Sequence, residues 1–139
     1  MTTFPIKRLG FFTRLLDQVD AAERYRLATQ QIVQAEKCGF DSAWIAQHHF
    51  HEGEGGLPAP FVFLAHAAAH TSRIRLGQMC TCMSYRNPAY LAKVAATVDH
   101  VSGGRVEMGI GGGWYEHEWK AYGYGFPEIG DRLRALLLS

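Results

Sequence analysis

The densest group of chemically versatile side chains is the segment Gln47-His48-His49-Phe50-His51-Glu52. An imidazole can serve as a general acid or base because its ordinary pKa lies near neutral pH. The same histidines could bind a metal ion together with Glu52 or Glu54, or they could simply form hydrogen bonds in a polar loop. A regular strand reaching this segment would point His48 and His49 to opposite faces. Spacing alone leaves all three interpretations open.

A second candidate is the glycine-rich segment Gly109-Ile110-Gly111-Gly112-Gly113-Trp114. Glycines let the backbone approach a ligand closely, and free N–H groups ahead of a helix favour an anion. The spacing departs from the dinucleotide-binding pattern G-x-G-x-x-G, because Trp114 takes the final position. The segment is therefore either part of a binding site or simply a tight turn.

Two further segments could contact a flat or a charged ligand. Met79-Cys80-Thr81-Cys82-Met83 is a row of soft side chains, which is typical of a protein core but is also able to hold a ring system. Arg132 and Arg134 could each bind a phosphate through paired hydrogen bonds, although surface arginines are commoner. The aromatic residues between positions 114 and 126 could cover an apolar pocket.

Four apolar segments predict the strands that would position these residues, and they cover residues 8–14, 42–48, 74–82 and 106–110. Their starts lie about 32 to 34 residues apart, which is the length of one strand–helix–strand step. Predicted helices lie between them. The first begins at an Asp20/Glu23 capping box and stops at Gly39; the second covers 60–70; the third begins at Asn87 and stops at 102–104.

This order predicts an α/β fold with parallel strands, either an open doubly wound sheet or part of a barrel. In both architectures the ligand site lies at the carboxyl ends of the strands. The candidate residues at positions 47–52, 79–83 and 109–114 all follow or end a predicted strand. We therefore expect them to gather at one end of the sheet.

Length and charge exclude several classes of protein. The chain has 139 residues, fewer than the roughly 250 that a complete (β/α)8 barrel requires. Its 14 Lys and Arg are scattered and balanced by 13 Asp and Glu, so no basic stripe predicts nucleic-acid binding. No signal peptide and no membrane-spanning apolar run is evident. Three cysteines without pairing logic, Cys38, Cys80 and Cys82, favour a reduced, cytoplasmic setting.

Together these segments resemble the luciferase-like flavin-dependent monooxygenase family. That family includes bacterial luciferase, alkane-type monooxygenases and deazaflavin (F420)-dependent oxidoreductases. The resemblance runs from about residue 6 to residue 134 and is specific in the order and spacing of its motifs. The motifs are Leu9-Gly10-Phe11-Phe12, Ala35-Glu36-Lys37-Cys38-Gly39-Phe40-Asp41, Ala46-Gln47-His48-His49-Phe50, Ile74-Arg75-Leu76-Gly77, Tyr85-Arg86-Asn87-Pro88, Ser102-Gly103-Gly104-Arg105 and the segment from Gly109 to Trp114.

The resemblance implies a TIM barrel of which this chain holds about the first four strands. Residues 1–139 would then form a single partial, truncated luciferase-like (β/α) domain, the amino-terminal half of such a barrel. The implied cofactor is FMN, with coenzyme F420 as the alternative, bound at the carboxyl ends of the strands. His48 matches the active-site acid/base of the family, and no metal is implied. The implied cofactor-binding residues are Gln47, Met79, Cys80, Gly111, Gly112, Trp114 and Arg132.

Three of these positions carry more detailed expectations. Met79-Cys80 falls where the family has a non-proline cis peptide bond, and Arg132 matches an arginine that contacts the flavin phosphate. Gly112 stands where luciferase has a second phosphate-contacting arginine. That difference favours the alkane-type or deazaflavin-using branches of the family.

We therefore expect a cytoplasmic, homodimeric oxidoreductase or monooxygenase that acts on a small, largely apolar substrate, with no nucleic-acid or membrane partner. Whether so short a chain is active by itself stays open. One alternative is a non-catalytic half-barrel, because exposed edges on the first and fourth strands invite pairing with a second copy or a partner chain. A metal-dependent hydrolase is a weaker alternative, since Glu116 and His117 are the only further ligands at the other strand ends.

Overall fold

The computed structural model describes residues 7–51, 53–54, 57–82 and 86–137, so Glu52, Met83 and Tyr85 lie outside the described residues. Strands and helices alternate up to the fourth strand, as the spacing of the apolar segments predicts. The elements are β1 (Gly10–Thr13), α1 (Ala21–Lys37), β2 (Ser42–Ile45), α2 (Pro60–Ala69), β3 (Arg75–Cys82), α3 (Pro88–Ser102), β4 (Val106–Gly111), α4 (Glu116–Ala121) and α5 (Ile129–Leu137).

The four strands form one parallel sheet in the order β1-β2-β3-β4. Helices α1, α2 and α3 connect consecutive strands, which is the kind of crossover that parallel neighbours require. The register places Phe11 beside Ala43 and Ala43 beside Leu76. Parallel strands in consecutive order are those of a (β/α) barrel, and four of them make part of one. The predicted fold class is therefore confirmed.

The predicted helix boundaries are confirmed where a side chain or a glycine sets them. The Asp20 carboxylate accepts the backbone N–H of Glu23 at 2.9 Å, and Asn87 caps α3 in the same way through Tyr90. The Glu23 carboxylate, which a capping box would turn back to the helix start, pairs with Arg26 instead. None of the described helices is both long and apolar enough to cross a membrane.

Strand β2 is shorter than predicted, and this changes how the histidines are placed. It ends at Ile45, whereas the sequence predicts a strand through His48. The backbone N–H of His49 bonds to the Glu118 carboxylate rather than to a neighbouring strand. The histidine pair therefore lies in a loop, and strand alternation does not decide where each imidazole points. The other three strands differ from their predicted bounds by only one or two residues.

The core lies between the sheet and its helices. On the other face of the sheet, the Trp44 ring crosses the register neighbour Gly77, where an added Cβ would lie 2.3 Å from the ring. A side chain at position 77 would overpack this face, so glycine is required there. The most deeply buried apolar residues of the core are Leu15, Ala28, Ile32, Ala43, Ile45, Leu64, Ala67, Ile74 and Leu76.

Two charged side chains tie the loops together at the amino end of the sheet. The Glu36 carboxylate accepts backbone N–H groups of residues 72, 73 and 74 at 2.7–3.1 Å. Burial would raise the pKa of Glu36, but these hydrogen bonds outweigh it and lower the pKa to about 2. The Arg105 guanidinium donates to the carbonyls of Ala68, Thr71 and Ile74. This end of the sheet is therefore built for stability.

Candidate functional site

A cavity of about 510 Å³ opens at the carboxyl end of the sheet. Residues at the ends of all four strands line it, together with residues of α4 and α5. A volume of this size is ordinary for a small-molecule or cofactor site. All eight site residues predicted from the sequence line the cavity, namely Gln47, His48, Met79, Cys80, Gly111, Gly112, Trp114 and Arg132. Their individual roles stay predictions.

His48 lies between two carboxylates. Its Nε2 is 3.9 Å from Oε2 of Glu54, and its Nδ1 is 3.6 Å from Oε1 of Glu118. The imidazole is mostly buried, at 14% side-chain exposure, and the rings of Trp114 and Tyr115 approach it edge to face at 5.3 and 5.8 Å. A histidine that lines a cavity among acids and aromatic rings is well placed to exchange a proton with a ligand.

His49 turns away from this arrangement. The Gln47 amide Nε2 lies 2.5 Å from Nε2 of His49, and an amide nitrogen can only donate, so this imidazole nitrogen accepts. Burial, together with the nearby charges of Arg86 and His48, lowers the pKa of His49, against an opposing effect of Glu118. Both observations favour the neutral form of the His49 imidazole. The two adjacent histidines therefore have different surroundings.

Gln47 lines the cavity, but its amide is engaged by the protein. Its Nε2 donates to the carbonyl of Pro58 at 3.0 Å as well as to His49. Its Oε1 accepts from Nε2 of Gln78 at 3.2 Å and from Nη2 of Arg86 at 2.5 Å. These contacts use the full hydrogen-bonding capacity of a glutamine amide. They favour a role in holding the loop after β2, and the predicted cofactor contact of Gln47 stays a prediction.

The glycine turn at the end of β4 packs closely against β3, and this packing limits which of its positions can carry a side chain. The Met79–Cys80 peptide bond is cis, as the family resemblance implies. An added Cβ at Gly111 would lie 3.1 Å from Cβ of Cys80, and one at Gly113 would lie 2.6 Å from Sγ of Cys82. At Gly112 the nearest atom would be 3.5 Å away, an ordinary contact. Close packing of the glycine turn against β3 therefore opposes a side chain at 113, makes one at 111 tight, and leaves room at 112.

Arg132 carries a buried charge that faces the cavity. The residue is 8% exposed, and its Nε and Nη1 have no hydrogen-bond partner among the described residues. The guanidinium lies 3.9 Å from the centroid of the Phe126 ring. This cation–π contact stabilises the charge but provides no hydrogen-bond acceptor for the N–H groups. Arg134, the other candidate from the sequence, is exposed and pairs with Asp131 at 3.1 Å. Of these two arginines, Arg132 is thus the one arranged to receive an anion.

Glu118 is a residue of the site that was not predicted from the sequence. It is 4% exposed, although Glu116 and Lys120 on the same short helix form an exposed ion pair. Glu54, which the sequence analysis considers only as a metal ligand, lies beside His48 and pairs with Arg14. A glutamate in the segment Glu-His-Glu-Trp-Lys is typical of a solvated helix face, so the sequence contains no signal that singles out Glu118.

The metal interpretation of the histidines finds no support in the described part of the chain. No group of three or more His, Cys, Asp or Glu side chains there could hold a metal ion. Of the ligands considered from the sequence, Glu52 lies outside the described residues.

Residues 9–137 match the sequence model of the luciferase-like monooxygenase family. Among curated proteins, the F420-dependent glucose-6-phosphate dehydrogenase of Kineococcus radiotolerans is 39% identical over 107 residues, which are 75% of this chain and 32% of that protein. The chain spans about a fifth to two-fifths of the length of the curated relatives it matches.

Two solved structures are similar over 94% of the chain. The oxygenating constituent of 3,6-diketocamphane monooxygenase from Pseudomonas putida, in complex with FMN, is 25% identical with a TM-score of 0.84, and the match covers 37% of that protein. An F420-dependent secondary alcohol dehydrogenase in complex with an F420-acetone adduct is 26% identical with a TM-score of 0.77, and 39% of it is covered.

Proposed function

The chain belongs to the luciferase-like monooxygenase family, and on that premise we propose that its cavity binds FMN, with F420 as the alternative. The protein would be an oxidoreductase or monooxygenase acting on a small, largely apolar substrate, and residues 1–139 would form one partial (β/α) domain of it. The observation that carries the proposal is the buried Arg132, which lines the cavity and whose Nε and Nη1 have no hydrogen-bond partner among the described residues.

The phosphate of FMN or F420 fits the chemistry of this arginine. A planar guanidinium binds a phosphate through two parallel hydrogen bonds, and burial strengthens them because water does not compete. The glycine turn also lies close to this residue, since an added Cβ at Gly112 would be 3.6 Å from the backbone carbonyl oxygen of Arg132. Arg132 and the glycine turn would therefore hold the phosphate end of the cofactor.

Other residues that line the cavity fit a flat ring system. Met79, at 46% exposure, and Cys80 are accessible on β3, and Trp114 is 67% exposed at the end of β4. Soft and aromatic side chains pack well against planar ligands. A bound flavin would supply redox chemistry with oxygen, and F420 would supply hydride transfer. The protein would place the ring and exclude water.

His48 would hold or move the proton that such chemistry requires. Its imidazole lines the cavity and lies between Glu54 and Glu118. A histidine is suited to this work because both of its protonation states are accessible near neutral pH. The three free cysteines support a reduced, cytoplasmic setting for the enzyme.

Titration of the protein into FMN, followed by flavin fluorescence, tests the proposal. We expect saturable binding that Arg132→Ala weakens by at least about tenfold, since a charged hydrogen bond is worth about 1.5–3 kcal/mol. The matched control is Arg134→Ala on the same helix, which should leave FMN affinity unchanged. Riboflavin lacks the phosphate, so Arg132→Ala should hardly alter its binding. Equal effects of the two arginine variants on FMN would contradict the proposed site. A parallel titration with F420 decides between the cofactors.

A second candidate function is a half-barrel that pairs with another copy of the chain. Within the described residues, β1 and β4 each have only one strand neighbour, so each leaves a backbone edge open. Apolar side chains are exposed on both edge strands, including Phe12, Met108 and Ile110. Pairing of two such units would cover these surfaces and would also supply the proposed homodimer.

Light scattering coupled to size-exclusion chromatography tests this pairing. A dimer that Ile110→Lys converts to monomer would support the β4 edge as the contact, because a charged side chain on an edge strand opposes pairing. Val62→Lys, at an exposed position on α2, is the control substitution. A monomer at all concentrations would exclude the half-barrel dimer.

A further inference from the structure

Glu118 is a buried carboxylate on the short helix α4, with 5% of its side chain exposed. Ionised carboxylates are rarely buried unless they are paired. Its sequence neighbour Glu116 shows the ordinary alternative, an exposed carboxylate that pairs with Lys120. The burial of Glu118 therefore needs an explanation from its contacts.

Two of those contacts lead to the histidine loop after β2. Oε1 of Glu118 accepts the backbone N–H of His49. The same oxygen lies 3.6 Å from Nδ1 of His48, a buried nitrogen that has no hydrogen-bond partner among the described residues. Catalytic hydrogen bonds are often long in a ligand-free site and shorten when ligand binds. A carboxylate at this distance from an imidazole nitrogen favours a proton on that nitrogen.

We propose that Glu118 is a positioning residue for His48. Its carboxylate holds the neutral imidazole in the Nδ1–H tautomer, so that Nε2 is the nitrogen that accepts or delivers a proton in the cavity. This inference rests on the proposed function for the meaning of that proton transfer. The tautomer itself is a property of the protein alone.

The groups around His48 agree with this division between its two nitrogens. Glu54 faces Nε2 at 3.9 Å, but its carboxylate also pairs with the Arg14 guanidinium. The rings of Trp114, Tyr115 and His51 surround the imidazole at 5.3–6.2 Å between centroids. On the Nδ1 side, the carboxylate that lies nearest is Glu118. The proton is thus directed to Nδ1.

Nitrogen-15 chemical shifts of the imidazole test the proposal in the full 139-residue chain. A two-bond ¹H–¹⁵N correlation spectrum is recorded at a pH where the histidines are neutral, and His48→Gln assigns the signals. We expect a pyrrole-type Nδ1 and a pyridine-type Nε2 for His48 in the wild type. Glu118→Ala should lower the ratio of Nδ1–H to Nε2–H tautomers by about tenfold, in line with the loss of a charged hydrogen bond.

Glu118→Gln separates positioning from simple folding. The amide oxygen can still accept the His49 N–H, so hydrogen-exchange protection of that amide should remain. The charge is lost, so the tautomer ratio should still fall, by about threefold. Glu116→Gln on the same helix is the control and should change neither quantity. A wild-type His48 in the Nε2–H form, or a Glu118→Gln spectrum like that of Glu116→Gln, would overturn the proposal.

FMN titrations of the same proteins keep the two proposals distinguishable. A tautomer that depends on Glu118 in a protein that does not bind FMN would support the positioning role and contradict the proposed cofactor. Saturable FMN binding in a protein whose His48 tautomer does not change on substitution of Glu118 would support the proposed cofactor and contradict the positioning role.

Discussion

The charged and polar side chains at the two ends of the sheet differ in how many of their hydrogen-bonding atoms have partners. At the amino end, the Glu36 carboxylate accepts three backbone N–H groups, and the Arg105 guanidinium donates to three backbone carbonyls. At the carboxyl end, Nε and Nη1 of Arg132 and Nδ1 of His48 have no hydrogen-bond partner among the described residues.

This difference separates stability from function in one small fold. A charged group whose hydrogen bonds are all made stabilises the loops that it joins. A buried polar group without a partner instead lowers the stability of the fold. Groups of the second kind persist where a ligand supplies the missing partner. In (β/α) folds ligands bind at the carboxyl ends of the strands, and that is the end where the unsatisfied groups lie.

The largest effect on stability is expected from removing the Glu36 hydrogen bonds at the amino end of the sheet. Glu36→Ala leaves several backbone N–H groups of residues 72–74 without their acceptor, which should lower the free energy of unfolding by about 3 kcal/mol. Urea denaturation measures this. Glu23→Ala, which removes an exposed carboxylate of the same helix, is the control and should have a much smaller effect. Equal losses in the two variants would contradict the stabilising role of Glu36.

The same residue should make stability depend on pH in a defined range. The folded pKa of Glu36 is about 2, below its ordinary value of 4.5. The stabilisation is therefore fully present above about pH 4.5 and is lost as the pH falls toward 2, and it amounts to about 2 kcal/mol after solvent screening is allowed for. The difference in unfolding free energy between wild type and Glu36→Gln should be constant above pH 5.5 and shrink below pH 4.5. A difference that grows on acidification would contradict the assignment.

A smaller effect sharpens the comparison within the carboxyl end. Gly113 has a φ of +74° and packs against Cys82, whereas Gly112 has ordinary space for a Cβ. Gly113→Ala should lower the unfolding free energy by about 2 kcal/mol, and Gly112→Ala should change it by less than about 0.5 kcal/mol. Thermal unfolding of both variants checks this. If Gly112→Ala costs as much as Gly113→Ala, the glycine turn is constrained at 112 by something other than packing.

The sequence predicts most of the fold because its signals are local. Asp20, Asn87, Gly39 and Gly103 set helix ends through contacts within a few residues, and each lies where predicted. The clustering of the candidate site also follows from topology, since parallel strands bring their carboxyl ends together. The family resemblance adds the cis bond at Met79–Cys80, which no local pattern indicates.

What the sequence does not predict depends on contacts between distant residues. His49 and Glu118 are 69 positions apart, and their hydrogen bond accompanies the early end of β2 and the separation of the two imidazoles. The Gln47 amide accepts hydrogen bonds from Gln78 and Arg86, which are 31 and 39 residues away. The direction of its side chain is therefore fixed by tertiary contacts. Side-chain direction in a loop is not encoded by periodicity.

One substitution tests most directly whether the carboxyl end is built for an anionic cofactor. Arg132→Met removes the buried charge but keeps an apolar side chain of similar length, and the unfolding free energy and the FMN dissociation constant are measured on the same sample. We predict an unfolding free energy within about 1 kcal/mol of the wild type or above it, with FMN affinity reduced by at least about tenfold. A variant that loses several kcal/mol of stability and still binds FMN as tightly as the wild type would show that Arg132 serves the fold and not a ligand.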